Sequence, residues 1–72
     1  MRIVETLALI DAPPTGARQG FYAGLVLWDG EVVEAADIIK YMRRWSRDRV
    51  RSYCQQRGWR VSVVHELVRD KP

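Results

Sequence analysis

The stretch Phe21-Tyr22-Ala23-Gly24-Leu25-Val26-Leu27-Trp28-Asp29-Gly30-Glu31-Val32-Val33-Glu34-Ala35 decides the fold. Two β-rich runs flank an Asp-Gly pair, the strongest short-range signal for a hairpin. A type I′ turn needs positive φ at both central residues. Aspartate tolerates that conformation and glycine adopts it at no steric cost. The second run alternates Glu31, Val33 and Ala35 against Val32 and Glu34, so it reads as a half-exposed strand. On that alternation Glu31 and Glu34 point to opposite faces.

Upstream, residues 2–10 are short and apolar. Val4, Thr6, Ala8 and Ile10 make the cleaner strand face, and Ile3, Glu5, Leu7 and Leu9 the other. A helix carrying Ile3, Leu7 and Ile10 on one side also fits the pattern. No cap precedes the run, however, and Pro13-Pro14 stops it, which favours a strand. Residues 11–20 contain two prolines and two glycines and read as a loop. At ten residues it is long for so small a domain, either a mobile connector or a functional loop.

Downstream, residues 36–57 have helical periodicity, with Asp37 as a first-turn acid. An unbroken helix would place Ile38, Ile39, Met42, Trp45, Val50 and Tyr53 on one face. Ser46 and Arg49 would then intrude on that face. A break at Trp45-Ser46 removes the conflict, because Ser46 becomes an N-cap with Asp48 in the first turn behind it. The reading is a short helix near 36–44 and a second near 47–57, closed by Gly58; one kinked helix is the alternative. The last strand runs from Trp59 to Leu67, with Trp59, Val61 and Val63 inward. Residues 69–72 are expected to fray.

The expected fold class is therefore α+β. It is a small, mostly antiparallel sheet in the order β-β-β-α(α)-β, with one kinked or two short helices on one face. At 72 residues and 47% hydrophobic content the chain reads as a single folded domain, residues 1–72. Such a chain buries only about 60% of its unfolded surface, so its stability margin is narrow and a homodimer would relieve it. Cys54 stands alone, which excludes an internal disulfide and a cysteine-based zinc site. The N-terminus lacks a signal-peptide layout and no apolar run reaches the length of a membrane span. The expectation is a cytoplasmic protein with no membrane contact.

Charge is distributed unevenly. Residues 1–39 carry two basic and six acidic side chains, a net of −4. Residues 40–60 carry Lys40, Arg43, Arg44, Arg47, Arg49, Arg51, Arg57 and Arg60 against Asp48 alone, a net of +7. On a continuous helix Lys40, Arg43, Arg44, Arg47 and Arg51 fall within about 100° of one another. Arginine suits phosphate oxygens, and Tyr41 beside the row could stack on a base. A solvated helix face explains the same row, and a break at Ser46 rotates its halves apart. An acidic protein surface, including the acidic hairpin of a second copy, is a further candidate partner.

Other chemistry finds little support. Glu31, Glu34 and Asp37 do not share a face for a metal. His65 has no nucleophile beside it in sequence, so no triad is formed and it reads as a strand-end surface residue. The spacing of Cys54 with Val50 and Tyr53 marks it as core. The Gly16–Gly20 loop lacks the Gly-Lys-Ser/Thr ending of a phosphate loop. No catalytic residue, cofactor or metal is assigned.

The residues Gly24 to Ala36, Ile38-Ile39, Val50-Arg51 and Arg57-Gly58-Trp59-Arg60-Val61 resemble a pattern found in small uncharacterised proteins of bacteriophages and prophages. The resemblance covers about half the chain and implies no activity. Where that pattern often has proline after the double alanine this chain has Asp37, and no glycine interrupts residues 31–57. The functional expectation is a small non-enzymatic binding protein using the Arg-rich helical surface for nucleic acid or an acidic protein partner. The alternative is an assembly module that homodimerises through a sheet edge or a helix face.

Overall fold

A computed structural model describes residues 1–70. Its elements are β1 (Arg2–Ala12), β2 (Phe21–Trp28), β3 (Glu31–Ala35), a 3-10 helix (Asp37–Met42), α1 (Arg47–Arg57) and β4 (Arg60–Asp70). The four strands form one antiparallel sheet in the order β3-β2-β1-β4, with the helical segments against one face. The fold is α+β, as expected.

The hairpin forms where Asp29-Gly30 indicated. Asp29 has φ 50° and Gly30 φ 83°. Asp29 also ties the turn to β1, because its Oδ1 accepts from Val4 N at 2.8 Å and its own N–H donates to Val4 O at 2.9 Å. On β1 the even-numbered face is the buried one from Thr6 onward, whereas near the start of the strand Ile3 is buried and Val4 exposed. Thr6, Ala8 and Ile10 pair with Leu27, Leu25 and Ala23 of β2, and all six are buried. Val32, Ile39, Met42, Val50 and Cys54 close over them to complete the core.

The helical region breaks as the Ser46 argument required. Ser46 Oγ accepts from Arg49 N at 3.2 Å, which satisfies one first-turn donor of α1. Gly58 ends the helix at φ 75°, its N–H donating to carbonyls of the last turn. The first segment winds as a 3-10 helix and not as an α-helix.

Several boundaries differ from expectation. Asp11 and Ala12 belong to β1 and pair with Tyr22 and Phe21, so the loop begins at Pro13, the first residue without an N–H to give. β4 starts at Arg60 and continues through Asp70. Arg69 and Asp70, expected to fray, pair with Ile3 and Arg2 because β1 reaches back to the second residue. The expectation for 71–72 lies outside the described residues. His65 lies in the middle of β4 opposite Leu7, not at a strand end.

Two bulges also reset side-chain direction. Val33 is the extra residue between the pairs Val26–Glu34 and Leu27–Val32, and it places Glu31 and Glu34 on the same face, opposite to the core. Val64 is extra between Ala8–Val63 and Leu7–His65. Opposed residues share a face, so Val61, Val63, Glu66 and Val68 lie on the helical side of β4.

Candidate binding surface on the helical layer

The chain between the 3-10 helix and α1 turns sharply, because Arg44 adopts φ 72° and Ser46 is extended at φ −72° and ψ 158°. That turn divides the five basic residues singled out from sequence. Lys40 lies in the last turn of the 3-10 helix. Arg43 follows it and lines an open hollow with Glu34, Gly24 and Val26 at the β3 side of the sheet. Arg44 occupies the turn, its backbone N–H donating to Val32 O at 2.8 Å. Arg47 and Arg51 sit one turn apart on α1. Together they border a groove of about 370 Å³ between the helix and the sheet, lined by Val50, Trp59, Val61 and Val63. Arg47 Nη1 lies 3.6 Å from Glu66 Oε2, and the same carboxylate oxygen accepts from Thr6 Oγ1 at 2.9 Å. The row is thus two groups: Arg47 and Arg51 over the groove, and Lys40, Arg43 and Arg44 before the break.

Two arginines outside that set have the more defined surroundings. The Arg49 guanidinium lies 4.0 Å above the Trp45 ring. The Arg57 guanidinium lies 4.4 Å above the Tyr53 ring and 5.7 Å from that of Trp59. Stacking of this kind holds a guanidinium in place and leaves its edge free to donate. The sequence signal was available, since Trp45 and Arg49, and Tyr53 and Arg57, are each four residues apart around a helix start or along a helix.

The aromatic rings form a continuous cluster. Phe21 meets Trp59 at 5.2 Å, Trp59 meets Tyr53 at 5.7 Å, Tyr53 meets Trp45 at 5.2 Å, and Tyr41 meets Trp45 at 5.7 Å, all edge-on. Tyr41 Oη donates to Tyr53 Oη at 3.2 Å. Partial burial, and then this hydrogen bond, push the Tyr41 phenol up to about 12, so it is neutral at any physiological pH. Tyr41, Phe21, Tyr53 and Trp59 line an open hollow of about 520 Å³ with Arg18 and Arg57 at its rim. Arg18 comes from the 13–20 loop, which gives that loop a place beside the cluster.

Among the described residues no group of three or more His, Cys, Asp or Glu side chains is gathered. Cys54 is buried in the core, and burial pushes its thiol up, away from reactive thiolate. On the opposite face of the sheet Glu5 accepts from Trp28 Nε1 at 2.9 Å and pairs with Arg69 at 3.2 Å. The indole donor, with Arg69 behind it, holds the Glu5 carboxyl below its ordinary value. Among the described residues no helix is long and apolar enough to cross a membrane.

No family model, no curated protein and no solved structure matches this chain.

Proposed function

We propose that this protein is a non-enzymatic binding module that holds nucleic acid against its arginine-rich helical layer. One observation carries the reading. Of the eight basic side chains in residues 40–60, only Arg47 reaches a carboxylate within ion-pair distance among the described residues. Arg49 and Arg57 are held by stacking on Trp45 and Tyr53, which leaves their charge without a carboxylate to neutralise it. Unpaired guanidinium groups clustered on one layer attract phosphates and release counterions from them. The aromatic hollow beside Arg57 supports nucleic acid over an acidic protein, because exposed Tyr41 offers a ring edge and face on which a base can stack.

The test is a salt titration of binding to labelled single-stranded and duplex oligonucleotides. Contact with about four to six phosphates predicts a slope near −4 to −5 for log affinity against log salt on duplex, or roughly 10²–10³ in affinity between 50 and 200 mM. Replacing Lys40, Arg43 and Arg44 by Gln tests the group before the break, and replacing Arg47, Arg51 and Arg57 by Gln tests the α1 side. Each set should flatten the slope. Absence of binding at low salt would remove nucleic acid as the partner and leave an acidic protein surface. An affinity indifferent to both sets would move the site off the helical layer.

A further inference from the structure

The two edges of the sheet are treated in opposite ways. Along β3 the chain itself supplies a substitute strand. Val32 N donates to Trp45 O at 2.9 Å, Arg44 N to Val32 O at 2.8 Å, and Arg47 N to Gly30 O at 2.8 Å, with Glu31 bridged to Ser46. Along β4 no such cover exists among the described residues. β4 pairs only with β1, and every residue from Arg60 to Asp70 is exposed. At 3.4 Å per residue that edge is about 37 Å long.

An open edge of this length is usually blunted by lysine, proline or inward charges. β4 contains no proline and no lysine, its charge on the helical side opposite Thr6, Glu66, is already held by Thr6 and Arg47, and the bulge at Val64 is its one irregularity. It instead exposes Val61 (37%), Val63 (48%), Val64 (66%), Leu67 (36%) and Val68 (60%). Val61 and Val63 also form the open wall of the groove beneath α1. The helical layer seals the core over β1, β2 and β3 but leaves that wall accessible.

We infer that β4 is the interface of a homodimer in which two copies pair antiparallel along this edge and join their sheets. Charge selects both the occupant and its direction. The first half of β4, residues 60–64, carries Arg60 alone. The second half, residues 65–70, carries Glu66, Arg69 and Asp70, a net of −1. An antiparallel second copy sets each positive half against a negative half; a parallel one would oppose like to like. The arrangement is a closed two-fold, with the same patch used on both sides. It also ends there, since the far edge of each sheet is already occupied by residues 44–47. A two-fold perpendicular to the joined sheet keeps both helical layers on one side, so the basic surfaces of the two copies face the same way.

Sedimentation of the full chain across the micromolar range tests this directly. The unmodified protein should sediment as a dimer. Val64→Lys and Val68→Lys, both at well-exposed positions, should keep the circular dichroism spectrum and raise the dissociation constant by about tenfold or more. Direction is read by cross-linking. Arg60→Cys mixed with Asp70→Cys should form an intermolecular disulfide under oxidation that neither variant forms efficiently alone, while buried Cys54 stays out of the reaction. A monomer at every concentration overturns the proposal. So does a dimer indifferent to both lysines, or an Arg60→Cys variant that links to itself as well as it links to Asp70→Cys. None of these readouts involves nucleic acid, so failure here leaves the binding reading of the helical layer standing.

Discussion

Replacing Gly30 by alanine isolates the backbone term that holds the hairpin. Gly30 sits at φ 83°, and a Cβ built there meets no atom within 4 Å. The substitution therefore introduces no clash, and its cost is conformational. Left-handed backbone costs an L-residue roughly 1–2 kcal/mol. Alanine also narrows the unfolded ensemble, which offsets about 0.4–1 kcal/mol. The net expectation is a loss of about 1 kcal/mol, or a melting temperature lower by about 4–8 °C for a domain of this size. Gly16 supplies the control. A Cβ there also meets nothing within 4 Å and no left-handed φ is involved, so Gly16→Ala should be neutral or slightly stabilising. Gly30→Asn should recover part of the loss, because asparagine enters the left-handed region more readily. Thermal melts of the three variants decide the matter. If Gly30→Ala melts with the parent, or Gly30→Asn melts below Gly30→Ala, the left-handed turn is not what sets the hairpin.

Ser46→Ala should cost about 1 kcal/mol by removing the cap on Arg49 N, with Ser46→Asp close to the parent in the same urea titration. Stability should fall at high pH. The folded protein holds the protons of Cys54 and Tyr41 that an unfolded chain releases near 9.0 and 10.0, so their contribution is complete below those values and fades as pH rises above them, for Tyr41 toward about 12. Tyr41→Phe should flatten that alkaline limb in pH-dependent melts. At the acid end the sign reverses. Glu5 is held below its ordinary 4.5, so its contribution is present above 4.5 and is lost below it, as pH falls through the lower folded value; Glu5→Gln should make acid unfolding less steep in the range below 4.5.

Features that rest on one residue's local chemistry could be read from sequence. Asp29-Gly30 specified the turn because few residues accept two successive positive φ values. Ser46 specified the helix break because no single helical face could hold both Val50 and Arg49. Bulges leave no such mark. Val33 and Val64 are ordinary strand residues, and an extra one of them reverses every side chain beyond it. Period-two reading therefore set Glu31 and Glu34 on opposite faces, whereas β3 places them together. The basic row failed for a related reason. Its angular spread was calculated on a continuous helix, and the turn at Arg44 breaks that geometry. The Arg47–Glu66 contact spans nineteen residues, a separation that no local pattern encodes. The stacked pairs Trp45–Arg49 and Tyr53–Arg57 lie at helical spacing and were legible, but a count of charges alone passes over them.

The backbone at Arg44 offers a way to separate what the fold needs from what the surface does. Among the described residues Arg44 is one of two non-glycine residues at positive φ, and unlike Asp29 its type has no preference for that region. Its strain is roughly 1–2 kcal/mol by the same reasoning as for Gly30. Glycine there would relieve it while widening the unfolded ensemble, a net gain of up to about 1 kcal/mol. The hydrogen bond from residue 44 N to Val32 O is a backbone contact and survives the change. Arg44→Gly should thus melt higher than the parent and bind oligonucleotide more weakly, with a salt slope shallower by about one phosphate contact. Arg44→Lys keeps both the charge and the strain, so it should leave stability unchanged and affinity nearly so. Opposite movement of stability and affinity in the glycine variant would show that the arginine is kept in a strained position for its charge. A glycine variant that melts lower would mean that the side chain itself supports the turn, and Arg44 would then leave the binding surface.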